Sequence, residues 1–379
     1  MSLAPVCLRA QEIVYESGLS VQTDGVKLAV TQSVVPFMAS PCHVGLSIVV
    51  VMGNTTTFVD LGSTSRDTRT PPSPDSIYEV GSVTKTFTGA LAAKTTLAHR
   101  LELDADFREH LPGAYPNLAW QGHPITLRSL ATHRSGLPRD LPDTDDLIVN
   151  PDFETLPKRL VARDSGYDRR RYLSALHAVQ LRSEPGAVEQ YSNLGIKVIG
   201  WGLEKVYGGP FETLMQKEIL QPLGMNSTGF VLSSAEEQRR LVQGYSRGGH
   251  VMPYHLRNAG AAYGLYSTTR DMATYLHWQL DESIPVIHFA HELIQGDAAN
   301  GKALIWNATL DHGERLLWHG GGTFGTTSQI VLYPDTREGY GLFANDTCAA
   351  TEDGLKDIAV TIHRSLQAPS GKKGTPEIH

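Results

Sequence analysis

The apolar run Val44–Met52, VGLSIVVVM, is the stretch that most constrains how this chain can fold. It is about half the length a membrane span requires, so it is read as a buried strand. Gly53-Asn54 supplies a turn, and the β-branched segment Thr55–Leu61 returns as the second strand of a hairpin. The next clear strand character comes much later, at Arg315–His319, Thr327–Tyr333 and Gly339–Ala344. Between them the pattern is helical from Thr84 to Leu101. Helices broken by Pro/Gly loops follow, including Arg134–Pro138 (RSGLP) and Ser183–Gly186 (SEPG). An amphipathic helix, Glu352–Leu366, closes the pattern. If the late strands join the early hairpin, the two chain ends build one sheet lobe and the middle inserts as a helical lobe. The expected division is residues 1–80 with 305–379 against 81–304, with a cleft between them where a pocket can form.

A chain of 379 residues is large for a single core, which agrees with two lobes. Its 41% hydrophobic and 19% charged residues are those of a globular protein. The net charge of -7, with no run of Lys and Arg, argues against a nucleic-acid partner. No run is long enough for a transmembrane segment. The start, MSLAPVCLRAQEIVY, lacks the basic and apolar regions of a secretory leader, so the chain is either cytoplasmic or written without its leader. Cys7, Cys42 and Cys348 are odd in number and have no metal-like spacing, so they are expected to be buried or free thiols. The tail after Gln367, APSGKKGTPEIH, is expected to be disordered.

One motif invites a wrong assignment. Gly244–Gly248, GYSRG, has the G-x-S-x-G form of a nucleophile elbow, and Trp318–Gly322, WHGGG, looks like its oxyanion loop. An elbow needs a buried strand running into the serine and a helix leaving it. Here charged residues, Glu236–Arg240, precede Ser246 and a glycine turn follows it. The HGGG element also comes after the serine instead of before it, so Ser246 is not expected to be catalytic.

Three other elements carry chemistry. Ser82-Val83-Thr84-Lys85 lies where an extended segment meets a helix start, and residues three apart share a helix face, so Lys85 can reach the Ser82 hydroxyl. A serine needs a neighbouring base, and a lysine becomes one when burial and nearby positive charge make its neutral form accessible. The helix N-terminus supplies a positive end and points N–H groups at a developing oxyanion. Tyr191-Ser192-Asn193 enters a second helix, Leu194–Val206: a tyrosine oxygen can relay protons, and an asparagine amide can bind a substrate carbonyl while holding the lysine. His319-Gly320-Gly321-Gly322 ends a strand, where glycines let a substrate backbone lie alongside and an N–H can complete an oxyanion hole. A metal reading of His288-Phe289-Ala290-His291-Glu292 fails the H-E-x-x-H pattern and has no evident third ligand.

The order and contexts of S-x-x-K, Y-S-N and H-G-G resemble the serine β-lactamase and penicillin-binding protein superfamily. The look is that of class C-type enzymes and of low-molecular-mass D-alanyl-D-alanine carboxypeptidases/endopeptidases. Leu130–Pro138, Gln221–Met225 and Gly264–Met272 match as well, so the resemblance runs from about Val44 to Asn345. It implies an α/β fold of the β-lactamase/transpeptidase kind: an antiparallel sheet lobe flanked by helices, plus an inserted mainly α-helical lobe. It further implies that Ser82 forms an acyl-enzyme, Lys85 and Tyr191 share the acid and base work, and Asn193, His319, Gly320 and Gly321 bind substrate. The N–H groups of Ser82 and Gly322 would form the oxyanion hole, with no cofactor and no metal. Partners would be peptidoglycan-type peptides, β-lactams or small acyl substrates, in the periplasm if a leader is missing. The expected activity is that of a DD-carboxypeptidase/endopeptidase that also binds penicillin. Alternatives are a β-lactamase, a carboxylesterase or D-aminopeptidase, or a penicillin-binding sensor without turnover. The sequence departs from the class C pattern at His319, where lysine is usual. A histidine there is expected to be a weaker, pH-dependent carboxylate anchor.

Overall fold

The computed structural model describes residues 21–255 and 260–368, so the expectations for the N-terminal segment, Cys7 and the C-terminal tail lie outside the described residues. The sheet is built from both ends of the chain, as the strand pattern implies. Strand β1 (Gly45–Met52) and β2 (Thr55–Gly62) form the early hairpin. Short ladders pair β3 (Tyr78–Glu79) with β6 (Tyr266–Ser267) and β4 (Ala119–Trp120) with β5 (His123–Pro124). The remaining strands are β7 (Gln295–Gly296), β8 (Asn300–Lys302), β9 (Asn307–Asp311), β10 (Glu314–Gly322), β11 (Thr327–Tyr333) and β12 (Glu338–Ala344). The main sheet has 8 strands in the order β2-β1-β12-β11-β10-β9-β8-β7, antiparallel throughout. Strands β7 and β8 fall within the stretch expected to be helical, because they are too short to carry a periodic signal.

The continuous apolar run of β1 has a simple cause: the strand is central and covered on both faces. Leu46, Ile48 and Val50 pack with the helices Val21–Met38 and Thr351–Gln367, while Val49 and Val51 join the larger core on the other face. Side chains of that size contribute about 1.5–3 kcal/mol each when fully buried. On the second face the helix Thr269–Gln279 lies close to β12, where a Cβ on Gly339 would stand 3.5 Å from Leu276 Cβ. The helix Val21–Met38 escaped the sequence reading because its apolar residues are spread around it: Val26, Val30 and Val34 are buried, Leu28 and Val35 are exposed, and Pro36 lies inside it.

The helix Thr84–Leu97 runs through the centre of the molecule and is buried nearly all round. Its threonine hydroxyls are satisfied locally or across helices, as in Thr88 Oγ1 donating to Ala261 O at 2.7 Å, and Phe87 stacks on Tyr275 at 3.8 Å. It stops before the expected Leu101, since His99 takes a positive φ of 54°; Leu101 is nonetheless buried, which is why the apolar signal persisted. The thiol expectation is also corrected. Cys42 and Cys348 form a disulfide, with Cα atoms 6.2 Å apart across a sequence separation of 306, tying the entry to β1 to the segment before the helix Thr351–Gln367.

Candidate active site

Ser82 sits in a 3₁₀ turn, Gly81–Val83, that leads directly into the central helix. Gly81 has φ 50°, and a Cβ there would lie 2.7 Å from Gly322 O. A Cβ on Gly321 would lie 2.3 Å from Val80 O and 3.0 Å from Ser82 N. The end of β10 and the serine turn are therefore in backbone contact that only glycine permits. Ser328 Oγ, donating to Val80 O at 2.7 Å, and Thr326 Oγ1, donating to Glu79 O at 2.7 Å, fix the turn from the neighbouring strand.

The structure brings Ser82, Lys85 and Tyr191 together. Lys85 Nζ lies 2.8 Å from Ser82 Oγ and donates to Ala262 O at 2.7 Å, and Ser82 Oγ is 2.7 Å from Tyr191 OH. Lys85 is fully buried, and that burial holds its pKa well below the usual lysine value. Asp140 opposes the shift, while Arg139 and Lys197 reinforce it. Lys85 has no ion-pair partner among the described residues, and its burial shifts it toward the neutral amine, the form that can act as a base. Burial pushes the Tyr191 phenol up to about 12, with the Ser82 hydrogen bond opposing, so it is a neutral hydroxyl at ordinary pH.

Asn193 heads the helix Asn193–Tyr207, whose N-cap Ser192 accepts from Gly195 N at 2.9 Å. The expectation that Asn193 holds the lysine is corrected. Its amide nitrogen donates to Asp140 Oδ2 at 2.8 Å, and Ser82 and Ala262 O hold Lys85 instead. Asn193 Oδ1 is buried without a partner and belongs to a residue lining the cleft. Asp140 also lies 3.6 Å from the buried Lys197, one helical turn after Asn193.

His319 is corrected too. It is buried, and desolvation together with Lys85 lowers its pKa to about 3, so it does not titrate near neutrality. Its Nδ1 lies 2.7 Å from Gly320 O, which can only accept, so the proton of the neutral ring sits on Nδ1. Gly320 lies beneath Glu352, whose Oε1 a Cβ would approach to 2.7 Å, and Gly322 is exposed at the strand end. Burial raises the Glu352 pKa.

Sequence reasoning missed several residues around this cluster. The His133 ring lies 4.4 Å from that of Tyr191, and the Arg139 guanidinium lies 5.0 Å from the same ring. Tyr263 lies beneath both Lys85 and Lys197, at 5.6 and 5.1 Å. His133 and Arg139 flank the segment RSGLP, where a signal was available; Tyr263 had none. Ser246 lies elsewhere: its Oγ is 3.2 Å from Glu154 Oε1, and the chain after it turns back through a hydrogen bond from Ser246 N to His250 O, with no helix leaving it. In the former metal candidate, both His291 nitrogens are engaged, by Glu282 and Gln279, each at 2.9 Å.

These elements define a serine hydrolase of the β-lactamase/transpeptidase-like class. The chain matches the Beta-lactamase family profile over residues 30–363 and belongs to that family. It is 30% identical over 236 residues to "D-alanyl-D-alanine-carboxypeptidase/endopeptidase AmpH" of Escherichia coli (strain K12), covering 62% of this chain and 57% of that protein. A "Beta-lactamase" of Providencia stuartii is 27% identical over 266 residues, covering 69% and 61%. The chain thus spans less than two thirds of the length of these curated relatives. In fold it is similar to a solved class C β-lactamase, with a TM-score of 0.77 at 19% identity over 92% of this chain and 99% of that one. A second, solved in complex with cefoxitin, gives 0.76 at 18% identity over 91% and 100%.

Proposed function

We propose that this protein is an acyl-enzyme-forming peptidase of the D-alanyl-D-alanine carboxypeptidase/endopeptidase kind, acylated also by penicillin, with its cleft between a sheet lobe and a helical lobe. The observation that carries it is the Ser82–Lys85–Tyr191 cluster, with Oγ 2.8 Å from a buried amine and 2.7 Å from a neutral phenol. Neutral Lys85 takes the Ser82 proton as Oγ attacks the carbonyl carbon. Tyr191 passes its proton to the leaving group as the carbonyl–leaving-group bond breaks, and the Lys85 ammonium then returns the proton taken from Ser82 to the Tyr191 oxygen. Water then attacks the ester by the reverse relay, regenerating the serine. The N–H groups of Ser82 and Gly322 are assigned to the carbonyl oxygen, and Asn193 Oδ1, a buried acceptor left open, to a substrate N–H. The AmpH relative supports the peptide substrate class. Arg139, on the cleft wall over Tyr191, is the cation available for a substrate carboxylate, since His319 is neutral.

That neutral His319, with Glu352 beside Gly320, favours a second reading: an esterase or amidase for substrates without a carboxylate. Intact mass after brief exposure to penicillin, on wild type and Ser82→Ala, tests the acyl-enzyme. An adduct on wild type alone supports it, and an adduct that survives the substitution overturns it. Rates on a D-Ala-D-Ala peptide against a short acyl ester decide between the two readings.

A further inference from the structure

The cavity that opens onto Ser82 has a volume of about 640 Å³ and a wall that the chemistry above does not use. Leu141, Ile148, Phe153, Leu156, Leu160 and Val161 line it, none of them buried, and Phe153 is 44% exposed. The helix Leu156–Asp164 explains the pattern. Leu156, Leu160 and Val161 share one face and turn it to the cavity, Lys158, Arg159 and Ala162 are exposed, and Pro157 is its only buried residue. This apolar stripe thus lies against the space beside the nucleophile instead of against a packed core. The charges on the wall are already engaged: Arg163 Nη2 donates to Asp146 Oδ2 at 2.8 Å, and Asp164 accepts from Tyr172 OH.

The wall is also held in place. Glu154 accepts from Gly248 N at 2.9 Å and from Ser246 Oγ at 3.2 Å, and the Arg247 guanidinium lies 4.2 Å from the Phe153 ring. The GYSRG segment that imitates a nucleophile elbow is a latch for this wall, and Ser246 is a positioning residue.

We propose that the wall is a subsite for an extended apolar chain, aliphatic or aromatic, carried by the compound whose carbonyl reaches Ser82. The inference rests on the acyl-enzyme reading of the cleft and not on the choice between peptide and ester. A chain lying along such a wall gains roughly threefold in kcat/KM per added methylene until the wall is covered.

The test is a series of p-nitrophenyl esters from acetate to octanoate, and a second series of acetate esters with lengthening alcohols, on wild type, Leu160→Asp, Ser246→Ala and Leu310→Asp. Leu310, 45% exposed and more open than the half-buried Leu160, lies outside the cavity. The expected result is a rise of at least tenfold in kcat/KM along one series, flattened by Leu160→Asp, reduced a few-fold by Ser246→Ala and kept in Leu310→Asp. The responding series shows which half of the substrate occupies the wall. Two flat series, or a gradient that Leu160→Asp leaves intact, would overturn the proposal. Calorimetric binding of octanamide against acetamide to the Ser82→Ala protein gives a readout without turnover. Tighter octanamide binding, lost on adding Leu160→Asp, supports the subsite even if Ser82 is never acylated, in which case only the acyl-enzyme reading falls. Equal binding of the two amides overturns the subsite even if acylation is seen.

Discussion

The two walls of the cleft are built in opposite ways. One is a polar cluster at the junction of β10, the serine turn and two helix starts, with Lys85 fully buried, Ser82 hydrogen-bonded to both Lys85 and Tyr191, and Asn193 hydrogen-bonded to Asp140. The other is an apolar surface, half open to solvent and held at its edges by Glu154, Arg163 and Asp164. The first is over-determined, because each group's position is set by several partners, including backbone contacts that exclude any Cβ. That is the condition for holding a lysine neutral and a serine ready. The second can vary in shape without disturbing the first. On the proposed reading, packing fixes the chemistry and a surface that packing leaves free sets the selectivity.

The largest effects should follow from breaking the polar wall. Ser82→Ala is expected to lower kcat/KM by at least about 10⁴-fold and to abolish the penicillin adduct. Residual turnover at a tenth of wild type would dissolve the contrast between the walls. Tyr191→Phe should cost about 10²–10³-fold with the protein still folded, because it removes the relay hydroxyl and keeps the ring against His133. Lys85→Met should cost a similar factor and has a second signature. The folded-state pKa of Lys85 is depressed, so the stability linked to it is present above the unfolded value of 10.5 and is lost as pH falls below it. The stability of Lys85→Met relative to wild type should therefore improve as pH is lowered from about 10 to 7. A pH-independent difference between their melting temperatures would show that Lys85 is not held neutral.

Much of the polar wall was legible in the sequence, because its parts are local. S-x-x-K reads as a helix turn, Tyr191-Ser192-Asn193 as a capped helix start, and the glycines after His319 as a place where backbone must approach backbone. What the sequence could not carry was environment. The absence of titration at His319 near neutral pH comes from burial that residues distant in sequence produce, and Asn193 turns to Asp140 because the RSGLP segment folds over the helix start. The cystine was hidden for the same reason, its halves being 306 residues apart. The apolar wall was less legible still. Its helix reads as an ordinary amphipathic surface helix, and only the fold reveals that its apolar stripe faces a cavity.

A smaller effect separates the two serines. Ser246→Ala removes one of the two groups holding Glu154, so kcat/KM for a long-chain ester should fall a few-fold, measured beside Ser82→Ala on the same substrate. A loss comparable to that of Ser82→Ala would make Ser246 part of the chemistry and reverse the roles of the two regions.

The last expected effect concerns stability and reports directly on how dry the polar wall is. His319 has a folded-state pKa of about 3 against 6.5 for the free side chain, so between those values the unfolded chain binds a proton that the folded protein refuses. The stability linked to His319 is complete above 6.5 and is lost as pH falls toward 3, with a slope of up to about 1.4 kcal/mol per pH unit. His133, whose pKa burial also depresses, adds a slope of the same sign. His319→Asn should thus unfold with a shallower acid dependence than wild type in urea titrations between about pH 6 and 4, retaining only the remaining groups' share. Identical slopes would mean that His319 is protonated in the folded cleft, which would return it to the role of carboxylate anchor and remove the reason for assigning that role to Arg139.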